Sequence, residues 1–326
     1  MNYNDILIRK IYKHFTMNIE WLRYFCAVVE SGSFKQAARK VYKTQPAVSM
    51  GVQSLEKMLG QTLIDRKTGQ ATPAGTLLYE RARALLRHMD DLRREMADLG
   101  QSESMALRIG ASDTTAIHLL PPLLRQFRDI FPDTAITMVS RSSEAVAGLV
   151  AEGILDLGLV TLPESRGDLE VQPLFSQRLV FAIPNAPGFH FGGFDTTADL
   201  SRLPMILLEE HTRAGSIIRN WLAEKGITVR PFLTCGSFEV IRQYIAEKLG
   251  TGFLPEEMAD ADAHPRLKIH ALEDPPAITI GVVRRRDGYL PPRVRAFLEI
   301  LQTATPPSPS LRPAPRSEAV RRRRSR

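Results

Sequence analysis

The sequence predicts an α/β protein in three parts: a small helical module, one long helix, and a larger domain of alternating strands and helices. Three observations support this division. Two short amphipathic helices lie close together within residues 33–60, apolar residues repeat in heptads from Leu78 to Leu99, and short apolar strands alternate with helices thereafter. At 326 residues the chain is long enough for two or three domains.

The helical module is predicted from two apolar helix faces that are separated by a short turn. The first face contains Phe34, Ala37, Ala38 and Val41, and the second contains Val48, Val52, Leu55 and Leu59. Thr44 can cap the second helix, and Pro46 fits its first turn, where a missing N–H costs nothing. This layout is typical of a DNA-binding helix-turn-helix, although a helical hairpin inside another core produces the same pattern.

In a helix-turn-helix, the outward face of the second helix enters the major groove of DNA. The candidate DNA-binding residues lie on that face, in the turn, or on the first helix: Lys35, Lys43, Thr44, Gln45, Pro46, Ser49, Met50 and Gln53. Gln45, Ser49 and Gln53 can hydrogen-bond to base edges. The two lysines are expected nearer to the phosphates.

The residues of this module also carry a family resemblance. TQPAVSMGVQSLEKMLGQTLIDR, starting at Thr44, resembles the signature of the LysR-type transcriptional regulators, and the ATPAG that follows resembles the wing of that family. The likeness extends from Asn18 to about Gln302. Met50 and Gly51 stand where the family often has basic or polar residues, and Ile64 stands where phenylalanine is usual.

The resemblance implies a sequence-specific DNA-binding regulator, not an enzyme, whose operator binding changes with a small-molecule effector. Its implied partners are a double-stranded DNA operator, a second copy of the chain in a homodimer or tetramer, and RNA polymerase in the case of an activator. The implied parts are a winged helix-turn-helix over residues 17–76 and a two-lobed, periplasmic-binding-protein-like effector domain over 101–303. Lobe one is expected at 106–183 and 281–303, and lobe two at 184–280, with crossings near Pro184 and Ile280.

The long helix is predicted over residues 77–100, between the two domains. Seven residues recur at alternating intervals of four and three, as in the seam of a coiled coil: Leu78, Ala82, Leu85, Met89, Leu92, Met96 and Leu99. No Gly or Pro interrupts residues 77–99, and Gly100 can end the helix. A dimerising linker is favoured, and a helix packed on its own domain is the alternative.

The larger domain is predicted from strands that alternate with helices. The strands are ALRIGAS, TAITMVS, LDLGLVT, RLVFAIP, MILLEE, PFLTC, TGFLP and TIGVVRR, and the helices lie near 119–130, 143–152, 215–225 and 238–248. Units of this kind indicate a mostly parallel, doubly wound sheet.

Ligands of such sheets bind beyond the carboxyl ends of the strands, at helix N-termini that favour anions. Hydroxyl and guanidinium groups follow four of the predicted strands, and they form the candidate effector site: Ser112, Thr114, Thr115, Ser142, Thr212, Arg213 and Ser237. Ser112 and Thr114 also match the SxT turn of the resembled family. The alternative is a purely structural role, in which these residues only cap helices. A small anionic effector is the expectation.

Composition narrows the class of protein. Residues 17–100 carry 13 basic and 9 acidic side chains and residues 304–326 carry 7 and 1, whereas residues 101–303 carry 20 and 25, so the part around the helical module is basic and the larger domain is acidic. Residues 304–326 are rich in proline and arginine and are expected to be disordered. The absence of a signal peptide and of a long apolar run, together with only two cysteines, favours a cytoplasmic protein.

Other functions find less support in the sequence. No metal-ligand spacing, nucleotide-binding loop or catalytic triad is present, so no metal, cofactor or catalytic residue is predicted. Redox sensing by Cys235 is disfavoured because Cys26 lies in a different domain. Two alternatives stay open: a DNA-binding regulator with a vestigial cleft that is controlled by abundance, and an α/β enzyme with an appended helical module.

Overall fold

A computed structural model describes residues 17–99, 106–162, 167–186, 197–259, 264–270, 272 and 274–304. The chain forms two compact units, residues 1–101 and 102–326. The predicted disordered tail, apart from Ala304, and the predicted helix stop at Gly100 lie outside the described residues. No helix in the described ranges is both long and apolar enough to cross a membrane.

The described part of the first unit, residues 17–99, contains four helices. They are α1 (Ile19–Ser31), α2 (Phe34–Lys40), α3 (Gln45–Leu59) and α4 (Pro73–Leu99). The predicted start of α3 is confirmed: the Thr44 hydroxyl accepts a hydrogen bond from the Ala47 N–H at 3.4 Å, and a proline occupies the first turn. The turn before α3 contains Tyr42 with a φ of 56°, a left-handed backbone conformation that residues other than glycine rarely adopt.

Helix α3 packs its apolar face against α1 and α2, as predicted. Val48, Val52 and Leu55 are fully buried, and Gly51 is buried beside them. A Cβ atom at Gly51 would lie 2.6 Å from Cδ2 of Tyr24, on α1. The glycine therefore allows α1 and α3 to approach closely, which explains a residue that is otherwise unfavourable in a helix.

The wing is predicted at residues 71–75, but in the structure it lies mostly before them. An antiparallel bridge joins Ile64 to Ala71, and the turn of the wing lies between them. Pro73 instead opens helix α4, so that the long helix begins four residues before the predicted position 77. Proline suits a first helical turn because its ring sets φ and its missing N–H has no intrahelical partner there.

Helix α4 separates its predicted seam into two halves. Near its start, Ala82 is buried and Leu78 is half-buried against the core of the first unit. Farther along, the exposed fractions are 46% for Leu85, 56% for Leu92 and 74% for Leu99. Part of the seam thus packs on its own unit, as the alternative interpretation expected, while the remainder is an exposed apolar stripe.

The second unit contains nine strands and six α-helices within its described residues. Its elements are β1 (Ala106–Ala111), α5 (Asp113–His118), α6 (Leu120–Ile130), β2 (Ala135–Ser140), α7 (Ser143–Ala151), β3 (Leu157–Leu162), β4 (Leu169–Pro184), β5 (Met205–Leu208), α8 (Arg213–Glu224), β6 (Leu233–Cys235), α9 (Phe238–Ala246), β7 (Thr251–Pro255), β8 (Leu267–His270), β9 (Ala277–Arg285) and α10 (Pro292–Ala304). The sequence did not predict β8, α10 or the first half of β4.

The strands pair in the order β2-β1-β3-β9-β4-β7-β5-β6, with β8 also on β4. The prediction of a mostly parallel sheet is wrong. Four pairings are parallel, namely β1 with β2 and β3, and β5 with β6 and β7. The other four, which involve β4 or β9, are antiparallel. Each lobe therefore combines a parallel βα part with antiparallel crossing strands.

The two lobes meet at β4, which belongs to both. Residues 169–178 of β4 pair with β9 in lobe one, and residues 179–184 pair with β7 and β8 in lobe two. The chain thus enters lobe two near residue 179, not near the predicted Pro184. It returns within β9, whose backbone pairs within lobe one while the side chains of Ile278 and Ile280 pack in the core of lobe two. The Leu179 N–H donates to the Pro276 carbonyl at 2.8 Å, so the two crossings are adjacent.

Candidate functional site

The outward face of α3 is available for contact. Gln45, Pro46, Met50 and Gln53 are exposed, and Ser49 is half-buried. Nearby on α2 and in the turn, Lys35 and Lys43 are exposed and make no ion pair with any described residue. Thr44 also lies at the surface, but its hydroxyl oxygen caps α3. The helix thus presents amide, hydroxyl and thioether groups, with two lysines beside them.

Glu56 fixes the wing relative to α3. Its Oε1 accepts hydrogen bonds from the backbone N–H groups of Leu63 and Ile64 at 2.9 and 3.2 Å, and its Oε2 accepts one from Arg66 at 2.8 Å. Burial raises the pKa of Glu56, but these three hydrogen bonds outweigh it and leave the pKa below its ordinary value. The Arg66 guanidinium also lies 4.8 Å from the ring centroid of Phe34. The sequence does not predict this role, although the LE and DR motifs contain both charged residues.

In the second unit, a cavity of about 270 Å³ lies between the two lobes; we call it the cleft. Six of the seven predicted effector residues line it: Ser112, Thr114, Ser142, Thr212, Arg213 and Ser237. They come from the starts of α5 and α7 in lobe one and of α8 and α9 in lobe two, each after the carboxyl end of a parallel strand. The topology therefore brings four separate helix starts to one place.

Thr115 is the exception among the predicted residues. It is buried and does not line the cleft. Its N–H donates to the Ser112 hydroxyl at 3.4 Å, and the two hydroxyl oxygens lie 3.1 Å apart. Thr115 thus supplies the backbone N–H that the Ser112 hydroxyl caps at the start of α5.

Most of the cleft hydroxyls are helix caps, as predicted by the alternative in which these residues serve only to cap helices. The oxygens of Ser112, Ser142, Thr212 and Ser237 each accept a backbone N–H of the following helix. The Thr212 hydroxyl also donates to the Glu209 carbonyl at 2.7 Å, so its donor and one acceptor site are used. Thr114 differs, because its hydroxyl forms no hydrogen bond with the described residues. Of the predicted set, Thr114 is the most available to a ligand.

The charges of the cleft come from both lobes. Arg141 and Asp113 belong to lobe one, where the Ser140 hydroxyl donates to Asp113 and the Arg141 Nη1 donates to the Ser140 carbonyl at 2.7 Å. Arg213 belongs to lobe two, and its Nε lies 3.7 Å from Oε1 of Glu144, across the cleft. Two guanidinium groups and several helix N-termini make the cavity suitable for an anion. Asp113 and Arg141 are not among the residues predicted from the sequence.

A second contact between the lobes lies beside the cleft. Nε2 of His118, on α5, is 2.6 Å from Oε1 of Glu239, on α9, and Arg242 donates to the other carboxylate oxygen at 2.8 Å. Burial raises the pKa of Glu239, but hydrogen bonds from Arg242 and His118 outweigh it, so the pKa is lower than usual. The carboxylate therefore stays charged between a guanidinium and an imidazole that belongs to the other lobe.

Neither cysteine has the properties of a reactive thiol. Burial raises the pKa of Cys26 to about 12, with the charge of Glu30 as a further cause. Burial also raises the pKa of Cys235, which lies 3.6 Å from the Ser237 carbonyl. A raised pKa keeps a thiol protonated and less nucleophilic. Among the described residues there is no group of three or more His, Cys, Asp or Glu side chains that could hold a metal ion.

Comparison with known proteins identifies both units. Residues 19–76 match the bacterial regulatory helix-turn-helix model of the lysR family, and residues 100–306 match the LysR substrate binding domain. A probable RuBisCO transcriptional regulator from Emiliania huxleyi is 32% identical over 244 residues, which cover 72% of this chain and 78% of the relative.

Solved structures share the fold. A full-length OxyR variant from Pseudomonas aeruginosa has a TM-score of 0.62 at 24% identity and covers 89% of this chain and 94% of its own. A full-length CbnR complexed with its target DNA has a TM-score of 0.59 at 21% identity, with coverage of 88% and 100%. The two family matches and the 32% identical regulator show that the chain belongs to the LysR family of transcriptional regulators, with a DNA-binding helix-turn-helix and an effector-binding α/β domain.

Proposed function

We propose that this regulator reads its operator with the outward face of α3 and changes its DNA binding when a small organic anion occupies the cleft. The observation that carries the proposal is the convergence of four helix starts and two arginines, from both lobes, on one cavity of about 270 Å³. A ligand that contacts both lobes binds their closed arrangement more tightly and shifts the population toward it.

The assignment of α3 rests on its exposed polar groups. Gln45, Ser49 and Gln53 are the candidates for base contacts, and Lys35 and Lys43 are the candidates for phosphate contacts. Thr44, Pro46 and Met50 complete the proposed DNA-facing surface. The full-length CbnR structure, which contains target DNA, supports this orientation only through its shared fold.

The exposed stripe on α4 supports a homodimer. Three large apolar side chains, Leu85, Leu92 and Leu99, are about half exposed or more on one helix face. Burying such a stripe against a second copy removes apolar surface from water and pairs two copies of α3. Two DNA-reading helices on one operator then combine two weak contacts into a tighter one. The homodimer can assemble further into a tetramer.

The remaining partners follow from this role. RNA polymerase is a partner in the case of an activator, and the cytoplasm is the expected location, where DNA and small metabolites are both accessible. The residues of the cleft are arranged for binding an anion, and we assign no enzymatic reaction to them. A closed cleft and an open cleft then correspond to two DNA-binding states, coupled as for any allosteric ligand.

The experiment is a thermal-shift screen of the full chain against small mono- and dicarboxylates, followed by operator titrations with each compound that binds. The Thr114→Val variant keeps the shape of the side chain and removes its hydroxyl. It is expected to weaken the ligand about tenfold or more, since a hydrogen bond to a charged group is worth about 1.5–3 kcal/mol. Operator binding without ligand should be unchanged.

Two results would contradict this proposal. The first is equal ligand affinity in the wild type and in Thr114→Val. The second is the absence of any carboxylate that both binds and alters DNA affinity, which would favour a regulator controlled by its abundance. The Thr251→Val variant is the matched control, because Thr251 is fully buried on β7 and does not line the cleft, so its substitution should not remove a ligand contact.

A further inference from the structure

The turn between α2 and α3 contains a tyrosine at a position where glycine fits better. Helix α2 ends in a Schellman motif, in which the Lys43 N–H donates to the Ala38 carbonyl at 2.9 Å. The second hydrogen bond of the motif joins the Tyr42 N–H to the Arg39 carbonyl at 3.3 Å. Tyr42 occupies the left-handed position, with a φ of 56°. Glycine is the usual residue there, because a Cβ atom makes this conformation unfavourable.

Packing within the chain does not offset this unfavourable conformation. Tyr42 is 94% exposed, and its hydroxyl forms no hydrogen bond with any residue in the described ranges. Residues that are held in sparsely populated backbone conformations cluster at functional sites, where the strain is part of the function. The left-handed backbone and the exposed aromatic ring together indicate a partner outside the chain.

The surroundings of Tyr42 identify the chemistry of that partner. Arg39 and Lys43 are exposed on either side of it in the sequence, so the surface around the ring is positively charged. Tyr42 also stands two residues before Thr44, the cap of α3. In a helix-turn-helix, that end of the second helix contacts base edges in the major groove, and the turn before it lies next to the DNA backbone. A tyrosine hydroxyl is one of the groups that donate hydrogen bonds to phosphate oxygens.

We propose that Tyr42 anchors the start of α3 on DNA by donating a hydrogen bond from its hydroxyl to a phosphate oxygen beside the major groove. This inference rests on the proposed reading of DNA by α3. A phosphate contact positions the helix without reading a base, so it strengthens binding to every DNA sequence alike. The tyrosine thus raises DNA affinity at the expense of the stability of the free protein.

The first test measures the affinity of the full chain for two duplexes, one obtained by binding-site selection and one with the same bases in scrambled order. Tyr42→Phe keeps the ring and removes only the hydroxyl. It should weaken binding to both duplexes by the same factor, about threefold or more. The salt dependence of binding should not change, because a neutral hydroxyl releases no counterions, whereas Lys43→Ala should reduce it.

The second test separates stability from binding. Tyr42→Gly relieves the left-handed conformation, so the amides of α2 should exchange with solvent about threefold more slowly. Its DNA affinity should nevertheless fall at least as far as that of Tyr42→Phe. Lys248→Gly is the matched control, because Lys248 has a φ of 64° in the same motif at the end of α9. It should slow exchange in α9 and leave DNA affinity unchanged.

Three outcomes would overturn the inference. Wild-type affinity of Tyr42→Phe for both duplexes would show that the hydroxyl does not contact DNA. Weaker binding of Tyr42→Phe to the selected duplex alone would show a base contact instead of a phosphate contact. Faster exchange in Tyr42→Gly would show that the tyrosine stabilises the turn itself.

Two variants on the DNA-facing surface distinguish a failure of this inference from a failure of the proposed function. If Lys43→Ala and Gln53→Ala weaken DNA binding while the Tyr42 variants do not, only the anchoring role of Tyr42 is wrong. If none of these variants changes DNA binding, α3 does not read the operator, and both proposals are wrong.

Discussion

Replacing Gly51 by alanine tests the close packing between α1 and α3. Helix propensity alone predicts that this change stabilises α3 by about 1 kcal/mol. The structure predicts the opposite, because the new Cβ would lie 2.6 Å from Cδ2 of Tyr24 and 3.1 Å from Cδ1 of Trp21. These are ring atoms, which cannot rotate away as a flexible chain end can. Overpacking costs about 1–3 kcal/mol, so the net loss is about 0–2 kcal/mol, centred near 1.

Hydrogen exchange of peptides from α3, measured on the full chain, reports this local stability. A loss of about 1 kcal/mol corresponds to roughly fivefold faster exchange of the amides that open together. Gln53→Ala, on the exposed face of the same helix, is the control and should change exchange by less than about twofold. Tyr24→Leu removes the clashing ring, so a double-mutant cycle should give a coupling energy of about 0.5 kcal/mol or more. Slower exchange in Gly51→Ala, or no coupling, would refute the packing argument.

Three further predictions concern the first unit. Because the pKa of Glu56 is lowered in the folded protein, its carboxylate stabilises the wing fully at a pH above its ordinary pKa of 4.5, and this stability is lost as the pH falls through the folded pKa. Glu56→Gln should therefore make the stability of the protein less dependent on pH in an acid-denaturation profile. An unchanged profile would contradict this role of Glu56. Replacing both Leu85 and Leu92 by aspartate should abolish the α4-mediated dimer in sedimentation and weaken operator binding, since unpaired charges are costly to bury. A variant that still dimerises through α4 would contradict the proposal that this seam forms the dimer interface. Gln53→Ala should change the base preference at one operator position by about 1–3 kcal/mol. Lys43→Ala should weaken binding to all DNA sequences alike and reduce the salt dependence of that binding. A binding-site selection profile that is unaltered in Gln53→Ala would exclude Gln53 from the base contacts.

Features set by neighbouring residues could be predicted from the sequence. The cap of Thr44, the proline in the first turn of α3 and the buried face of that helix depend on residues within one or two turns of one another. The same is true of the strands that end at helix starts, where apolar runs meet capping hydroxyls. Ser112 lies beside Ser142, and Thr212 beside Ser237, because each pair follows two neighbouring parallel strands, whose carboxyl ends lie at the same edge. The two pairs meet in one cleft because the two lobes face each other, which the strand pattern alone does not predict.

Features set by distant residues could not be predicted in the same way. The first half of β4 contains Pro173, which argues against a strand, but the register shift between Pro173 and Phe175 accommodates it. The antiparallel pairing of β9 with β4 joins residues that are 99 to 116 positions apart in the chain, from Arg178 with Ala277 to Leu169 with Arg285. Asp113 and Arg141 read as ordinary loop charges until the fold brings them to the same cavity. Gly51 is a helix breaker by propensity, and only the rings of Tyr24 and Trp21 explain it.

The adjacent crossings at Leu179 and Pro276 have an evolutionary consequence. Lobe two is a continuous segment inserted into lobe one, and its two ends are hydrogen-bonded neighbours. Domains whose ends lie close together tolerate insertion and exchange. Residues 179–276 can therefore be replaced as a cassette by the matching segment of a relative, which would supply half of the cleft from another lineage and leave α3 and its operator untouched. New combinations of signal and target gene would then require only the exchange of this one segment, with both of its junctions at the same place in the structure.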